Sequence, residues 1–188
     1  MSRPTVIAHR GFAGRYPENT VRAAVGAVAD GADAVEIDVQ PTAEGDIVVF
    51  HDRRLDGSDG DGRTDGTGVV WEQSTAAVTG ARVLDTDECV PLLADILAAV
   101  PADVTVNIEL KNPGSDDVRP GATLDGTDRE AARKRWQPFV DTVLAIVDLF
   151  DHDVLFSSFC EGALAAVDAR DPDARLAAIV APNCAAAG

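Results

Sequence analysis

The sequence predicts an α/β fold made of consecutive βα units with a parallel sheet, as in a (β/α) barrel. Short apolar, β-branched segments alternate with longer amphipathic segments, and this alternation recurs five times along the 188 residues. Hydrophobic residues make up 46% of the chain, mostly Ala, Val, Leu and Ile, which is enough for one sizeable core. We therefore expect residues 1–188 to form a single domain.

The N-terminal part opens with two such units. Residues 5–8 and 34–39 are predicted strands, and residues 21–29 between them are a predicted helix because apolar side chains recur there at helical spacing. Gly31 ends this helix. Residues 47–50 form a further short extended piece, which is reached through a Glu-Gly-Asp turn.

Regular structure is predicted to fail over residues 53–68. This segment is dominated by Asp, Gly, Arg and Thr, so it can bury little apolar surface. Its aspartates invite comparison with a calcium loop, but an EF-hand starting at Asp59 would place Arg63 and Val70 where ligands are required. We therefore expect a flexible acidic loop.

The alternation resumes with a predicted helix at residues 92–100 and a strand at residues 104–110. A longer helix is predicted at residues 129–150. Pro138 is expected to break that helix or to mark its true start, because proline lacks the backbone N–H that a helix interior needs.

The last two predicted strands are residues 154–156 and 176–180. Between them, Ser158 and Glu161 match the pattern of a capping box, which predicts that a helix begins there and continues to Arg170. A complete eight-stranded barrel needs about 250 residues, so the predicted barrel stops after about five strands.

The composition is strongly acidic, with a formal net charge of −16 and lysine only at Lys111 and Lys134. This charge argues against nucleic-acid binding and against docking on an anionic membrane. It favours adaptation to a concentrated-salt cytoplasm, as in a halophile. At about 1 M salt the Debye length is about 3 Å, so an anionic substrate would still be tolerated.

Cysteine is sparse, and Cys89, Cys160 and Cys184 form no C-x-x-C pair. A disulfide framework or a zinc site is therefore disfavoured. The N-terminus runs into an apolar segment without a signal sequence, and no segment approaches the roughly 18 apolar residues of a membrane span. We expect a cytoplasmic protein without stable membrane insertion, and the sequence leaves its oligomeric state open.

Two predicted strands carry carboxylates on one face. Alternation places Glu36 and Asp38 on the same side of the second strand, and Glu109 with Lys111 on the same side of the strand at residues 104–110. In a barrel this polar side would face the interior.

Three carboxylates that converge at a barrel mouth repel one another unless a cation compensates for their charge. Ligands that are all oxygen suit one hard divalent cation, Mg²⁺ or Ca²⁺. The alternative is an internal salt bridge, in which Asp38 or Glu109 pairs with Lys111 and Arg10.

Two of the three histidines, His9 and His51, directly follow short apolar strands, where the catalytic residues of barrel enzymes lie. Such a pair could supply a general base and a general acid. His152 lies in a connecting loop and is interpreted as structural. Arg10 and Lys111 place positive charge at the same strand ends, where a phosphate would use it.

Three segments resemble the glycerophosphodiester phosphodiesterase family: IAHRGFAGRYPENT (residues 7–20), EIDVQPTAEGDIVVFHD (36–52) and NIELK (107–111). A looser resemblance extends through PLLADIL and LFSSF. The resemblance to this family implies a TIM (β/α)8 barrel that hydrolyses glycerophosphodiesters, such as deacylated phospholipids, to glycerol phosphate and an alcohol.

The resemblance also implies roles for single residues. The metal ligands would be Glu36, Asp38 and Glu109, the acid/base pair His9 and His51, and the substrate-binding residues Arg10, Lys111, Glu18 and Asn19. The implied mechanism is attack by the neighbouring glycerol hydroxyl, giving a cyclic phosphate that water opens. The metal would polarise the phosphoryl oxygens, while the histidines exchange protons with the attacking and leaving oxygens.

Members of this family continue through three more strands, one of them aromatic-rich and next to the glycerol. We therefore expect the chain to be part of a larger barrel, with an exposed sheet edge and an activity that depends on the missing strands. Two alternatives stay open: a related phospholipase-type phosphodiesterase that acts on intact lipid, and a truncated, non-catalytic barrel that binds phosphorylated ligands.

Overall fold

A computed structural model describes residues 3–57, 62–122 and 124–180. Its strands are β1 (Ile7–Ala8), β2 (Ala34–Pro41), β3 (Ile47–Val49), β4 (Thr105–Leu110), β5 (Val154–Ser158) and β6 (Arg175–Ala178). Its α-helices are α1 (Val21–Ala29), α2 (Thr75–Thr79), α3 (Leu93–Ala99), α4 (Gly126–Val147) and α5 (Glu161–Asp168).

The five parallel strands lie side by side in chain order, β1–β2–β4–β5–β6. Each strand therefore pairs with the next parallel strand along the chain, and helices connect most of them. This arrangement confirms the predicted succession of βα units. The predicted and observed strands differ by one or two residues at their ends.

The register of the sheet places polar residues in rows on its inner side. Asp38 is level with Glu109, which is level with Ser157, and Glu36 is level with Asn107. The alternate side chains of β2, β4 and β5 pack with α1, α3, α4 and α5 in the larger of two apolar clusters. The polar alternation predicted from the sequence is therefore the inner face of the sheet.

Strand β3 runs antiparallel to the end of β2, with Val39 opposite Val49. The predicted turn joins them, and Gly45 adopts the left-handed backbone at φ +87 that this tight turn requires. His9 and His51 follow strands of different kinds, because β1 is a parallel strand whereas β3 returns antiparallel along β2. The hairpin nevertheless brings the chain back beside Asp38, whose carbonyl accepts a hydrogen bond from the Phe50 N–H at 2.9 Å.

The segment between β3 and α3 builds a second, smaller apolar cluster. Its buried members include Val48, Phe50, Leu55 and Val70. The same segment of the chain contains helix α2 and a 3₁₀ turn at Val70–Glu72, neither of which was predicted from the sequence. The loop predicted over residues 53–68 is irregular in its described part, whereas Asp59 and Asp61 lie outside the described residues, as does Cys184.

Pro138 lies inside α4 and neither breaks nor begins it, so that prediction is wrong. An interior proline costs a helix about 3 kcal/mol. Trp136, Phe139, Val140 and Val143 of the same helix are buried. Each contributes roughly 1.5–3 kcal/mol by leaving water, so the packing of this face outweighs the proline.

The predicted capping box at the start of α5 is also wrong. Ser158 belongs to β5, and its hydroxyl donates to the Leu110 carbonyl at 2.8 Å. The Glu161 carboxylate accepts from the Leu124 N–H at 3.2 Å. The Ser158 hydroxyl also accepts from the Cys160 N–H at 3.0 Å, but Ser158 and Glu161 do not make the reciprocal bonds of a capping box. None of the described helices is long and apolar enough to cross a membrane.

Candidate active site

Three carboxylates meet at one edge of the parallel sheet. Glu36 and Asp38 come from β2 and Glu109 from β4, and the three residues are buried, with relative exposures of 5%, 0% and 7%. One oxygen of each carboxylate lies within 4.8 Å of the others. The structure thus brings together the three residues that the sequence proposed as metal ligands.

Two cations lie against these carboxylates. The Lys111 Nζ donates to Glu109 Oε1 at 2.7 Å and lies 3.5 Å from Asp38 Oδ1. The Arg10 Nε is 3.3 Å from Asp38 Oδ2, in an ion pair without hydrogen-bond alignment. The salt bridges considered as an alternative to a metal are therefore both formed.

These ion pairs leave part of the buried negative charge uncompensated. Glu36 Oε1 and Asp38 Oδ1 are buried and accept no hydrogen bond within the described part of the chain. Burial, and then the neighbouring Asp38, raises the pKa of Glu36 to about 8. A divalent cation would supply the missing positive charge to oxygen ligands of the kind that Mg²⁺ and Ca²⁺ prefer, so the residues present fit such an ion.

The turn after β1 holds Arg10 in an unusual backbone. Arg10, Gly11 and Phe12 have φ values of +50, +69 and +60, three left-handed residues in a row. The Arg10 N–H donates to Glu36 Oε2 at 2.8 Å. At Gly11, an added Cβ would lie 2.6 Å from the Ala23 carbonyl carbon, so only glycine fits against α1. Strain of this kind concentrates at functional sites.

Glu18 and Asn19 precede α1 and contact other site residues. Glu18 accepts from the Arg10 guanidinium at 3.0 Å. Asn19 is buried, donates to Asp38 Oδ2 at 2.8 Å and accepts from the Asp38 N–H at 3.2 Å. Arg63 also reaches Glu18, at 3.3 Å, which sequence reasoning missed because this arginine lies in the irregular segment and carries no motif.

The two candidate histidines differ in their surroundings. The His9 side chain is 68% exposed, and its Nε2 lies 4.0 Å from Glu36 Oε2. The His51 side chain is 31% exposed, and its Nδ1 lies 2.6 Å from Asp52 Oδ1. Asp52 was not singled out from the sequence, although its position directly after His51 was the available signal. His152 lies before β5, at the opposite edge of the sheet, where its Nε2 contacts the Leu97 carbonyl at 2.8 Å.

Residues 9–184 match the family model of the glycerophosphoryl diester phosphodiesterase family. The chain belongs to this family. The resemblance carried by the motifs around His9, Glu36 and Glu109 is thereby confirmed.

Curated relatives align with part of the chain. The chain is 42% identical over 109 residues to the uncharacterised protein YqiK of Bacillus subtilis. It is 35% identical over 125 residues to a glycerophosphodiester phosphodiesterase of Bacillus altitudinis. In both comparisons the alignment covers 57% of this chain and 45% of the relative, so the chain spans about half the length of these relatives.

Solved structures match nearly all of the chain. An Oleispira antarctica phosphodiesterase in complex with the product sn-glycerol-3-phosphate is 26% identical, with a TM-score of 0.76 over 95% of this chain and 66% of that one. A glycerophosphodiester phosphodiesterase from Agrobacterium tumefaciens, also 26% identical, has a TM-score of 0.70 over 93% and 66%. The fold is therefore that of a TIM barrel of this family, and the described residues supply five consecutive parallel strands.

Proposed function

We propose that this chain carries the metal and acid/base site of an enzyme that hydrolyses glycerophosphodiesters to glycerol phosphate and an alcohol. The observation that carries the proposal is the meeting of Glu36, Asp38 and Glu109 within 4.8 Å, next to Arg10 and Lys111. Family membership supports it, as does the Oleispira antarctica neighbour with its bound sn-glycerol-3-phosphate.

One divalent cation, Mg²⁺ or Ca²⁺, would be held by Glu36, Asp38 and Glu109. When bound, such an ion polarises phosphoryl oxygens and stabilises negative charge that develops on them. Its binding would also weaken the ion pairs of Lys111 with Asp38 and Glu109. The N–H donors of Lys111 would then be available to the substrate.

Arg10 and Lys111 would bind the phosphate. Arg10 has five N–H donors, of which Glu18 occupies one, and Lys111 has three, of which Glu109 occupies one. The remaining donors can hold the phosphoryl oxygens. Glu18 would fix the guanidinium in place, and Asn19 would support the site by orienting the Asp38 carboxylate.

His9 and His51 would transfer the protons. An ionised Asp52 carboxylate only accepts hydrogen bonds, so His51 carries its proton on Nδ1 and leaves Nε2 for the reacting oxygen. Proton transfer by a positioned histidine contributes typically 10²–10⁴-fold to a rate. His9, near Glu36, would serve the other reacting oxygen.

The test is the release of glycerol phosphate from glycerophosphocholine by the purified full-length protein. We expect His9→Ala and His51→Ala to lose at least about 10²-fold in kcat, and a chelator to abolish turnover until Mg²⁺ or Ca²⁺ is restored. His152→Ala is the matched control, because that histidine lies at the opposite edge of the sheet, and it should keep full activity.

Full activity in either site variant would overturn the proposal. Phosphatidylcholine vesicles serve as a second substrate, and faster turnover of these vesicles than of glycerophosphocholine would favour the phospholipase alternative. We further propose a cytoplasmic location, which the free thiols of Cys89 and Cys160 support.

A further inference from the structure

Gln40 follows Asp38 on the inner face of β2, and its side chain reaches across to the segment after β3. The residue as a whole is only 1% exposed. Its Nε2 donates to two main-chain carbonyls, those of Phe50 and Asp52, each at 2.8 Å. Both partners are acceptors only, so the orientation of the amide is fixed and its two N–H groups are both engaged.

The two carbonyls belong to the residues on either side of His51. Gln40 therefore holds the main chain of His51 from both sides, on the same strand that carries Glu36 and Asp38. The hydrogen bond from the Phe50 N–H to the Asp38 carbonyl, at 2.9 Å, adds a third attachment between this segment and β2. Two side-chain hydrogen bonds and one main-chain hydrogen bond thus tie the residues on either side of His51 to the strand that carries the carboxylates.

We propose that Gln40 is a positioning residue for His51, and this inference rests on the proposed function. Through the two carbonyls it keeps the imidazole at a set place relative to Glu36 and Asp38, while Asp52 orients the ring. An apolar residue of equal size would fill the same space but would leave the buried Phe50 carbonyl and the partly buried Asp52 carbonyl without this donor. The buried amide therefore supplies more than packing.

The decisive variants change the donors of Gln40 and keep its size. Gln40→Met removes both N–H groups at nearly equal volume, and Gln40→Lys restores donors at the end of a similar chain. Gln40→Asn keeps the amide but is one methylene shorter, so it cannot reach both carbonyls, and it replaces the Met variant if that does not fold. Gln137→Met is the matched control, since the Gln137 amide on α4 donates to Asp141 at 2.8 Å, away from the site.

Two readouts are needed, kinetics with glycerophosphocholine and backbone order parameters of His51 and Asp52 from NMR relaxation. For Gln40→Met or Gln40→Asn we expect kcat to fall about 10²-fold, as for a catalytic group displaced by about 1 Å, with KM changed less than about threefold. The order parameters should fall from about 0.85 to below about 0.6. Gln40→Lys should recover most of both, and Gln137→Met should change neither.

Retained order at His51 in Gln40→Met would overturn the inference, and so would reduced order without loss of kcat. Loss of kcat that Gln40→Lys does not restore would also count against it. If the wild-type protein turns over no glycerophosphodiester, the proposed function fails, whereas the order parameters still decide whether Gln40 holds His51.

Discussion

Asn19 connects the start of α1 to Asp38, and replacing it should lower the free energy of unfolding. Two variants can separate the contribution of its hydrogen bonds from that of its backbone conformation. Its amide donates to the buried Asp38 carboxylate at 2.8 Å and accepts from the Asp38 N–H at 3.2 Å. A hydrogen bond to a charged group contributes about 1.5–3 kcal/mol and a neutral one about 1 kcal/mol. Asn19 also has a φ of +57, a left-handed backbone that costs most residues about 1–2 kcal/mol.

Asn19→Gly removes the side-chain bonds and leaves the backbone unstrained, so the free energy of unfolding should fall by about 2–4 kcal/mol. Asn19→Ala loses the same bonds and adds the left-handed cost. The lower entropy of the unfolded Ala chain offsets part of that cost, so Ala should be about 1 kcal/mol less stable than Gly.

The assay is urea denaturation followed by circular dichroism and by the fluorescence of the buried Trp136, with the m-value checked for constancy. Equal stability of the Ala and Gly variants would refute the argument from the backbone. A loss below about 1 kcal/mol in both would refute the argument from the buried hydrogen bonds to Asp38.

Three further predictions concern the same edge of the sheet. Gly11→Ala should lower the melting temperature sharply, because the new Cβ would lie 2.6 Å from a backbone carbon of α1. Gly14→Ala is the control and should change the melting temperature little, because no atom lies within 4 Å of its new Cβ. Without metal, the raised pKa of Glu36 means that the folded chain retains a proton which the unfolded chain releases. Thermal stability should therefore fall as the pH rises from about 4.5 to about 8. Glu36→Gln should remove this pH dependence, and an unchanged dependence in the variant would contradict the prediction. The metal can be removed with excess EDTA and then restored as Mg²⁺ or Ca²⁺. At a free concentration of about 100 times Kd, the restored ion should add about 2.7 kcal/mol to the free energy of unfolding. Glu109→Gln should abolish this gain, and an equal gain in the wild-type protein and the variant would exclude Glu109 as a ligand.

The inner face of the sheet was predictable because a strand has a strict period of two. Alternation by itself predicts that Glu36, Asp38 and Glu109 share one side, and the register sets Asp38 level with Glu109. The succession of βα units was predictable for a similar reason, since buried strands and amphipathic helices differ in their apolar period.

The features that sequence reasoning missed depend on partners distant in the chain. Ser158 and Glu161 fit a local cap, yet their side chains bond to Leu110 and Leu124. No local pattern indicates that Arg63 reaches Glu18, 45 residues away. Pro138 shows the same limit in energetic terms, because its local cost is smaller than the gain from the buried face of its helix.

The order of the parallel strands has a consequence for how the protein is made. Each parallel strand after β1 pairs with the parallel strand that precedes it along the chain. During translation, every such strand that leaves the ribosome therefore finds its neighbour already synthesised. Each pairing between parallel strands closes only the connection between consecutive strands, which keeps the contacts of the sheet comparatively local in sequence. Glu36 and Asp38 of β2 and Glu109 of β4 therefore lie on strands that are both synthesised before β5 and β6.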